Sequence, residues 1–283
     1  MLQNVTDMVA ELERNADANK LELPSLPDII TLIQEAIDDP NKGVNHVARV
    51  IQLDPTLSAR LLTIANSPLY RANLQLQSLN QAIQRLGLGV TRNIVTSLIL
   101  HNIFTVSSIR LHNKIKALWQ HSCRVAAISK VIASLTPGIQ PDRAMLAGLL
   151  HDIGVLPILI YADQSNAEAV DPDVLAEVIN QLGKSLGQKI IEEWKLGSDI
   201  CCVPTAIDDW ERDHEGPADY ADVVQVAHIH SQFGETNGSE VPPLTRLPAF
   251  NKLSLAKMGP HAGLELIEQA REDINATIRL LNG

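Results

Sequence analysis

Residues 145–160 are apolar along almost their whole length, yet they carry a histidine and an aspartate side by side, in Gly148-Leu149-Leu150-His151-Asp152-Ile153-Gly154. Burying a charge-capable pair in such surroundings costs several kcal/mol unless both groups are hydrogen-bonded or hold a metal. A chain with this stretch near its middle must build a thick apolar core around it and supply the pair with partners. Either the pair ligates or moves protons, or its members satisfy each other and nearby helix ends. The wider run 144–162 is long enough to raise a membrane span, but His151, Asp152 and Pro157 argue for a protein interior.

The material for that core is aliphatic. Apolar residues make up 45% of the 283 and aromatic ones 3%, so Leu, Ile, Val and Ala must fill it, which favours helix on helix. The same scarcity of rings removes a stacking platform for nucleobases. Residues 1–20 read as an amphipathic helix with Val5, Met8, Val9 and Leu12 on one face. Pro24 and Pro27 break it, and a new helical period runs from Ile29 to Ala36, stopping at Asp38-Asp39-Pro40. Residues 44–53 follow. Asp54-Pro55 then supplies a cap and a first helical residue, Ser78 and Gly87 bracket a short helix, and 90–106 form another.

No strand-period segment of useful length appears in this first half. In the second half the spacing predicts helices over 111–135, 171–182, 184–194, 198–212 and 218–233. Residues 234–249 read as a linker, and 262–281 as a last amphipathic helix. The expected fold is all-α and two-lobed: one lobe over 1–108, a second over 109–235, and a linker with a C-terminal helix over 236–283.

The net charge is −10 and no stripe of Lys or Arg interrupts it, which argues against a DNA-binding regulator and against anionic lipid. Cys123, Cys201 and Cys202 form no disulfide framework, and residues 1–20 do not read as a secretory signal, so a cytoplasmic protein with reduced thiols is expected.

Several ordered motifs together resemble the HDOD family, a non-standard branch of the HD phosphohydrolase superfamily. In the first half these are Leu23-Pro24-Ser25-Leu26-Pro27, Asp54-Pro55-Thr56-Leu57-Ser58, Ala65-Asn66-Ser67 and the segment from Ser78 to Gly87. In the second half they are Leu118-Trp119-Gln120-His121-Ser122, the Gly148 to Gly154 stretch, Trp194, and Asp222-Val223-Val224-Gln225-Val226-Ala227. The resemblance spans about 20–235 and implies an all-helical bacterial signalling module.

HD hydrolases set an early His, a His-Asp pair and a later Asp around one or two metal ions. The resemblance carries these roles to His121, to His151 and Asp152, and to position 228, where this chain has His228. The two-metal branch follows its pair with Ile-Gly-Lys, and Val155 stands at the Lys position. Its further ligands would fall near 183–186 and 207–211, where the chain offers Gly183-Lys184-Ser185-Leu186 and Ile207-Asp208-Asp209-Trp210-Glu211. Two-metal chemistry is thereby lost. His121, His151, Asp152 and His228 retain a donor set suited to one transition-metal ion (iron, zinc, nickel or manganese), although no cofactor is required. Each imidazole also has an ordinary reading as a hydrogen-bonded core histidine.

Asp208-Asp209 and Glu192-Glu193 are adjacent pairs that do not share a helix face, and they read as solvated. The expected function is signal transduction by binding a partner protein or a small, nucleotide-type ligand. The competing expectation is a metal-dependent phosphohydrolase acting on a nucleotide or cyclic dinucleotide.

Overall fold

A computed structural model describes residues 5–17, 24–70, 75–104, 111–164, 171–232, 242–258 and 260–282. Among the described residues every regular element is a helix. The first half runs α1 (Val5–Asp17), α2 (Asp28–Asp38), α3 (Val44–Ile51), α4 (Pro55–Ala65), α5 (Leu79–Leu86) and α6 (Leu88–Ile103). The second runs α7 (His112–Leu135), α8 (Pro141–Leu150), α9 (Val155–Gln164), α10 (Pro172–Glu193), α11 (Ser198–Cys201), α12 (Val203–Ala206) and α13 (Tyr220–Gln232). It closes with α14 (Pro248–Lys252), α15 (Pro260–Gln269) and α16 (Arg271–Asn282).

The short helices begin and end on local chemistry. The Asp54 carboxylate accepts from Thr56 N at 2.9 Å and Leu57 N at 3.0 Å, with Pro55 at the first helical position. Ser78 Oγ accepts from Gln81 N at 3.3 Å. Gly87, at φ 79°, both ends α5 and precedes α6 in a single left-handed residue, a turn that a side chain would oppose.

Two apolar clusters form the interior. Ile30, Ile51, Leu61, Ile83 and Ile94 centre the smaller, built from α2 to α6. The larger gathers α7 to α14, and Met8 and Leu12 of α1 join it because α1 lies against α10. The lobe boundaries expected near 108 and 235 lie outside the described residues. Helix α16 spans the two clusters. Trp119 Nε1 of α7 donates to Asn282 Oδ1 at 2.7 Å, and Arg60 Nη2 of α4 donates to Leu280 O at 3.0 Å and Leu281 O at 3.3 Å. The run Pro141–Gln164 is long and apolar enough to cross a membrane by length and composition, but 78% of its most apolar window is buried inside the protein.

Four expectations need correcting. Residues 171–194 make one helix, α10, without a break near 183, because Gly183 and Gly187 face a close helix contact rather than a stop. The helix expected over 198–212 is two single turns, α11 and α12. Pro204 has no N–H to donate to Ile200 O, so the ladder fails there. The linker expected over 234–249 lies outside the described residues up to 241. Beyond that Leu244, Leu247, Ala249, Phe250, Leu253 and Leu255 are buried, so this stretch is core. The last helix is divided at Ala270 into α15 and α16, and neither Pro nor Gly marks the division.

Candidate metal centre

The two glycines that frame the His-Asp stretch are helix-crossing points. A Cβ on Gly148 would lie 2.7 Å from Ala126 Cα of α7, and one on Gly154 would lie 2.0 Å from Gly183 O and 2.4 Å from Gly187 N of α10. Glycine is required at both places because backbone meets backbone. The turn between α8 and α9 is thus pinned on two sides, and it presents His151 to α7, where His121 sits, and to α13, where His228 sits.

The three imidazoles form a nearly equilateral triangle, with ring centroids 5.1, 5.2 and 5.3 Å apart. One donor atom from each lies within 4.8 Å of the others. His151 is 2% exposed. Its Nδ1–H donates to Gly148 O at 2.7 Å, and its Nε2 lies 3.3 Å from His121 Nε2. His228 Nε2 stands 2.8 Å from the Gln232 side-chain amide, and its Nδ1 is buried without a hydrogen-bond partner. Asp152 Oδ2 lies 3.2 Å from His151 Nε2 and 3.9 Å from His121 Nε2. The expectation that both members of the pair are mostly buried holds, more completely for His151 than for Asp152. The Asp152 side chain is 30% exposed and forms the rim of the site.

The charges are strongly coupled. Burial disfavours a protonated His151, but the Asp152 carboxylate, by charge and by hydrogen bond, holds its pKa above the ordinary value, with help from Gly148 O. Burial acts to raise the Asp152 pKa, yet His151 first, then His121 and His228, keep it well below the carboxylate range. At His228 burial dominates and His151 adds to it, pulling the pKa down to about 4. An ionised carboxylate beside imidazole nitrogens is what a cation needs, and a bound cation takes the place of the proton that Asp152 favours on His151.

The residues fit a single ion on three counts. Nitrogens about 2.0–2.1 Å from a tetrahedral ion stand about 3.3 Å from one another, the spacing of His121 and His151. His228 Nδ1 is a buried polar atom in need of a partner. The His151 tautomer is fixed by a backbone carbonyl, the second-layer contact that metal-bound histidines make.

Sequence reasoning missed a neighbour. Lys184 Nζ and Asp208 Oδ2 pair at 2.9 Å, and the Asp208 charge acts to raise the pKa of both His151 and His228. This pair stands at the positions where the resemblance would put the further ligands of a two-metal site. Only the three-dimensional path of the chain after Pro204 brings it there. Arg124 and Arg143, both close to the motif in sequence, are occupied elsewhere: Arg124 Nη1 donates to Ser231 O at 3.5 Å, and Arg143 is held by Asp199 and Leu196 O. His214, Asp219 and Asp222 also cluster, but Arg212 is already their cation, with Nη1 donating to Asp222 Oδ1 at 2.9 Å.

Residues 23–208 match the model of the HDOD domain. A protein of Treponema pallidum (strain Nichols), uncharacterised, is 25% identical over 189 residues, which are 62% of this chain and 35% of that protein. The chain therefore spans about a third of the length of that curated relative. Among solved structures, a Shewanella amazonensis SB2B protein proposed to be a metal-dependent phosphohydrolase aligns with a TM-score of 0.81 at 23% identity, covering 97% of this chain and 99% of that one. A Marinobacter aquaeolei VT8 protein proposed to act in signal transduction aligns with a TM-score of 0.64 at 20% identity, over 100% of this chain and 67% of the other. At these identities the structural likeness shows a shared helical fold.

Proposed function

The chain belongs to the HDOD family, and from that premise we propose that it is a cytoplasmic signal-transduction module that works by binding a partner protein or small ligand rather than by hydrolysis. The observation that carries this reading is the crossing of Gly154 on Gly183 and Gly187. Where a second ion would need ligands, α10 instead packs its backbone against the motif, and Lys184 with Asp208 takes the adjacent space. Phosphoester hydrolysis of the two-metal kind needs both ions to stabilise attacking and leaving oxygens.

In this reading His121, His151, His228 and Asp152 hold a single first-row ion (iron, zinc, nickel or manganese) that ties α7, the α8–α9 turn and α13 together. Such an ion, when bound, supplies Lewis acidity and a more acidic bound water. The chain's own part is to keep His151 Nδ1 protonated through Gly148 O, to keep Asp152 ionised, and to exclude solvent from His151. The partly exposed Asp152 at the rim favours a second reading, a metal-dependent phosphohydrolase acting on a nucleotide or cyclic dinucleotide, since it leaves one side of the cluster open.

Elemental analysis of protein purified without chelator or affinity-metal steps, paired with turnover assays, separates the two. Cyclic dinucleotides and nucleoside phosphates are offered with Mn²⁺, Fe²⁺ or Mg²⁺. The expected result is at most one ion per chain and no turnover above background. Robust turnover that disappears in a folded His151→Ala variant would overturn the binding role.

A further inference from the structure

A second site lies between the lobes, away from the histidine cluster. Helix α6 forms one wall of a cleft of about 340 Å³, and α8, the turn after α10 and Tyr220 form the other. That volume falls in the range of small-molecule sites. Gly89, Arg92, Asn93 and Thr96 line it from α6, at the spacing of a single helix face.

Two of these side chains are unusual. Asn93 is 4% exposed and Thr96 1% exposed, and neither side chain makes a hydrogen bond to another described residue. Both line the cleft, so an occupant can bond to them.

The electrostatics specify the occupant. Arg92, Arg143 and Lys195 line the cleft against Asp199 alone, a local positive excess on a chain of net charge −10. Arg92 also reaches Asp38 at 2.8 Å, but that pair is exposed and holds loosely. Arg143 is fixed by Asp199 and Leu196 O, and Gly197, at φ 107°, makes room for it: a Cβ there would lie 2.5 Å from Arg143 Nη2. Lys195 has φ 53°, the one positive value at a non-glycine residue among those described. A residue held in that region marks a place the surrounding structure has over-determined. Finally, the N-terminus of the sixteen-residue α6 opens here. Its cap, Gly87, offers no side chain, and a Cβ on Gly89 would meet only open space. Unpaired N–H groups at a helix start favour an anion.

We propose that this interlobe cleft binds a small phosphorylated metabolite, its phosphate held between the start of α6, Lys195 and the arginine guanidiniums, and its polar body bonded to Asn93 and Thr96. Arg143 and Lys195 belong to the second half of the chain, 109–235, while Gly89 to Thr96 belong to the first, so the ligand bridges the two and favours their closed pairing. The site owes nothing to the histidine cluster, and its test leaves that cluster intact.

The test is calorimetric titration of the full chain with inorganic pyrophosphate and, in a parallel arm, with malonate. Two variants probe the cleft: Gly89→Leu, which fills open space, and Lys195→Gly, which removes the charge and relieves the positive φ. The expected result is saturable binding of pyrophosphate, weakened about tenfold or more in each variant, weaker or absent with malonate, and unchanged in His151→Ala. The unliganded melting temperature of Lys195→Gly should not fall below that of the parent chain. If Gly89→Leu does not fold, Lys195→Gly carries the decision. Absence of saturable heat from the parent chain, equal binding of malonate, or full affinity in Lys195→Gly overturns the proposal.

Discussion

Replacing Gly154 with alanine adds one methyl group at the tightest contact around the His-Asp turn. The new Cβ would fall 2.0 Å from Gly183 O and 2.4 Å from Gly187 N. Carbon makes ordinary contact at about 3.5–4.0 Å, so α10 must back away from the α8–α9 turn by about 1 Å or more. Overpacking a core by one methyl usually costs about 1–3 kcal/mol, and the range reflects how far side chains can swing aside. Here the obstacles are a carbonyl oxygen and an amide nitrogen of the backbone, which have no rotamers to change. The loss should therefore sit at the upper end, about 3 kcal/mol, a large part of the 5–15 kcal/mol that stabilises a typical domain.

Urea denaturation followed by circular dichroism measures it, with Gly89→Ala as the control. Nothing lies within 4 Å of a Cβ at Gly89, so that variant should match or exceed the parent. A Gly154→Ala midpoint within about 0.5 kcal/mol of the parent, at an unchanged denaturant slope, would refute the reasoning. It would mean that the α9–α10 contact yields freely and does not fix the site.

Arg212→Met should destabilise the fold by about 3 kcal/mol, because it leaves the fully buried Asp222 side chain with His214 as its remaining side-chain partner. A loss below about 1 kcal/mol in denaturant titration would show that His214 alone suffices. Burial lowers the His230 pKa to about 4, so the folded chain keeps it neutral while the unfolded chain protonates it near 6.5. Its contribution is complete above about pH 6.5 and is lost as pH falls toward 4, amounting to about 3 kcal/mol at most. His151, whose pKa moves the other way, is common to both proteins when the parent is compared with His230→Leu. Parallel stability curves for these two from pH 7 to pH 5 would contradict the assignment.

Much of the architecture is legible in the chain because it is decided locally. Asp54-Pro55, Ser78 and Gly87 each set a helix end through atoms no more than four residues away, and those ends fall where the residues place them. The His121, His151 and His228 grouping is legible through the resemblance to the HDOD family, since the motif carries its spacing with it. Other features depend on which backbones meet. Gly183 looks like a helix stop in isolation, and becomes a helix interior because Gly154 presses on it. Asp208 reads as solvent-facing and is exposed, but its pairing with Lys184 depends on the chain path after Pro204. The cleft joins α6 to the turn after α10, and no local pattern in either segment announces the other. Residues 244–255 are misread for the opposite reason: Pro248, the Pro242-Pro243 pair just before the stretch and several polar residues hide leucines and a phenylalanine that are buried.

The clasp made by α16 has a consequence for the order in which the protein is made. Residues 280–281 accept hydrogen bonds from Arg60, which lies as many as 221 positions earlier. At about 5–20 residues per second, a ribosome needs on the order of ten seconds or more to travel between them. Until residues 280–282 are made, Arg60 lacks these carbonyl partners and the surface of α7 around Trp119 has no cover from Asn282. The two apolar clusters must therefore hold together at first through other contacts, such as α6 on α8, before α16 fastens them.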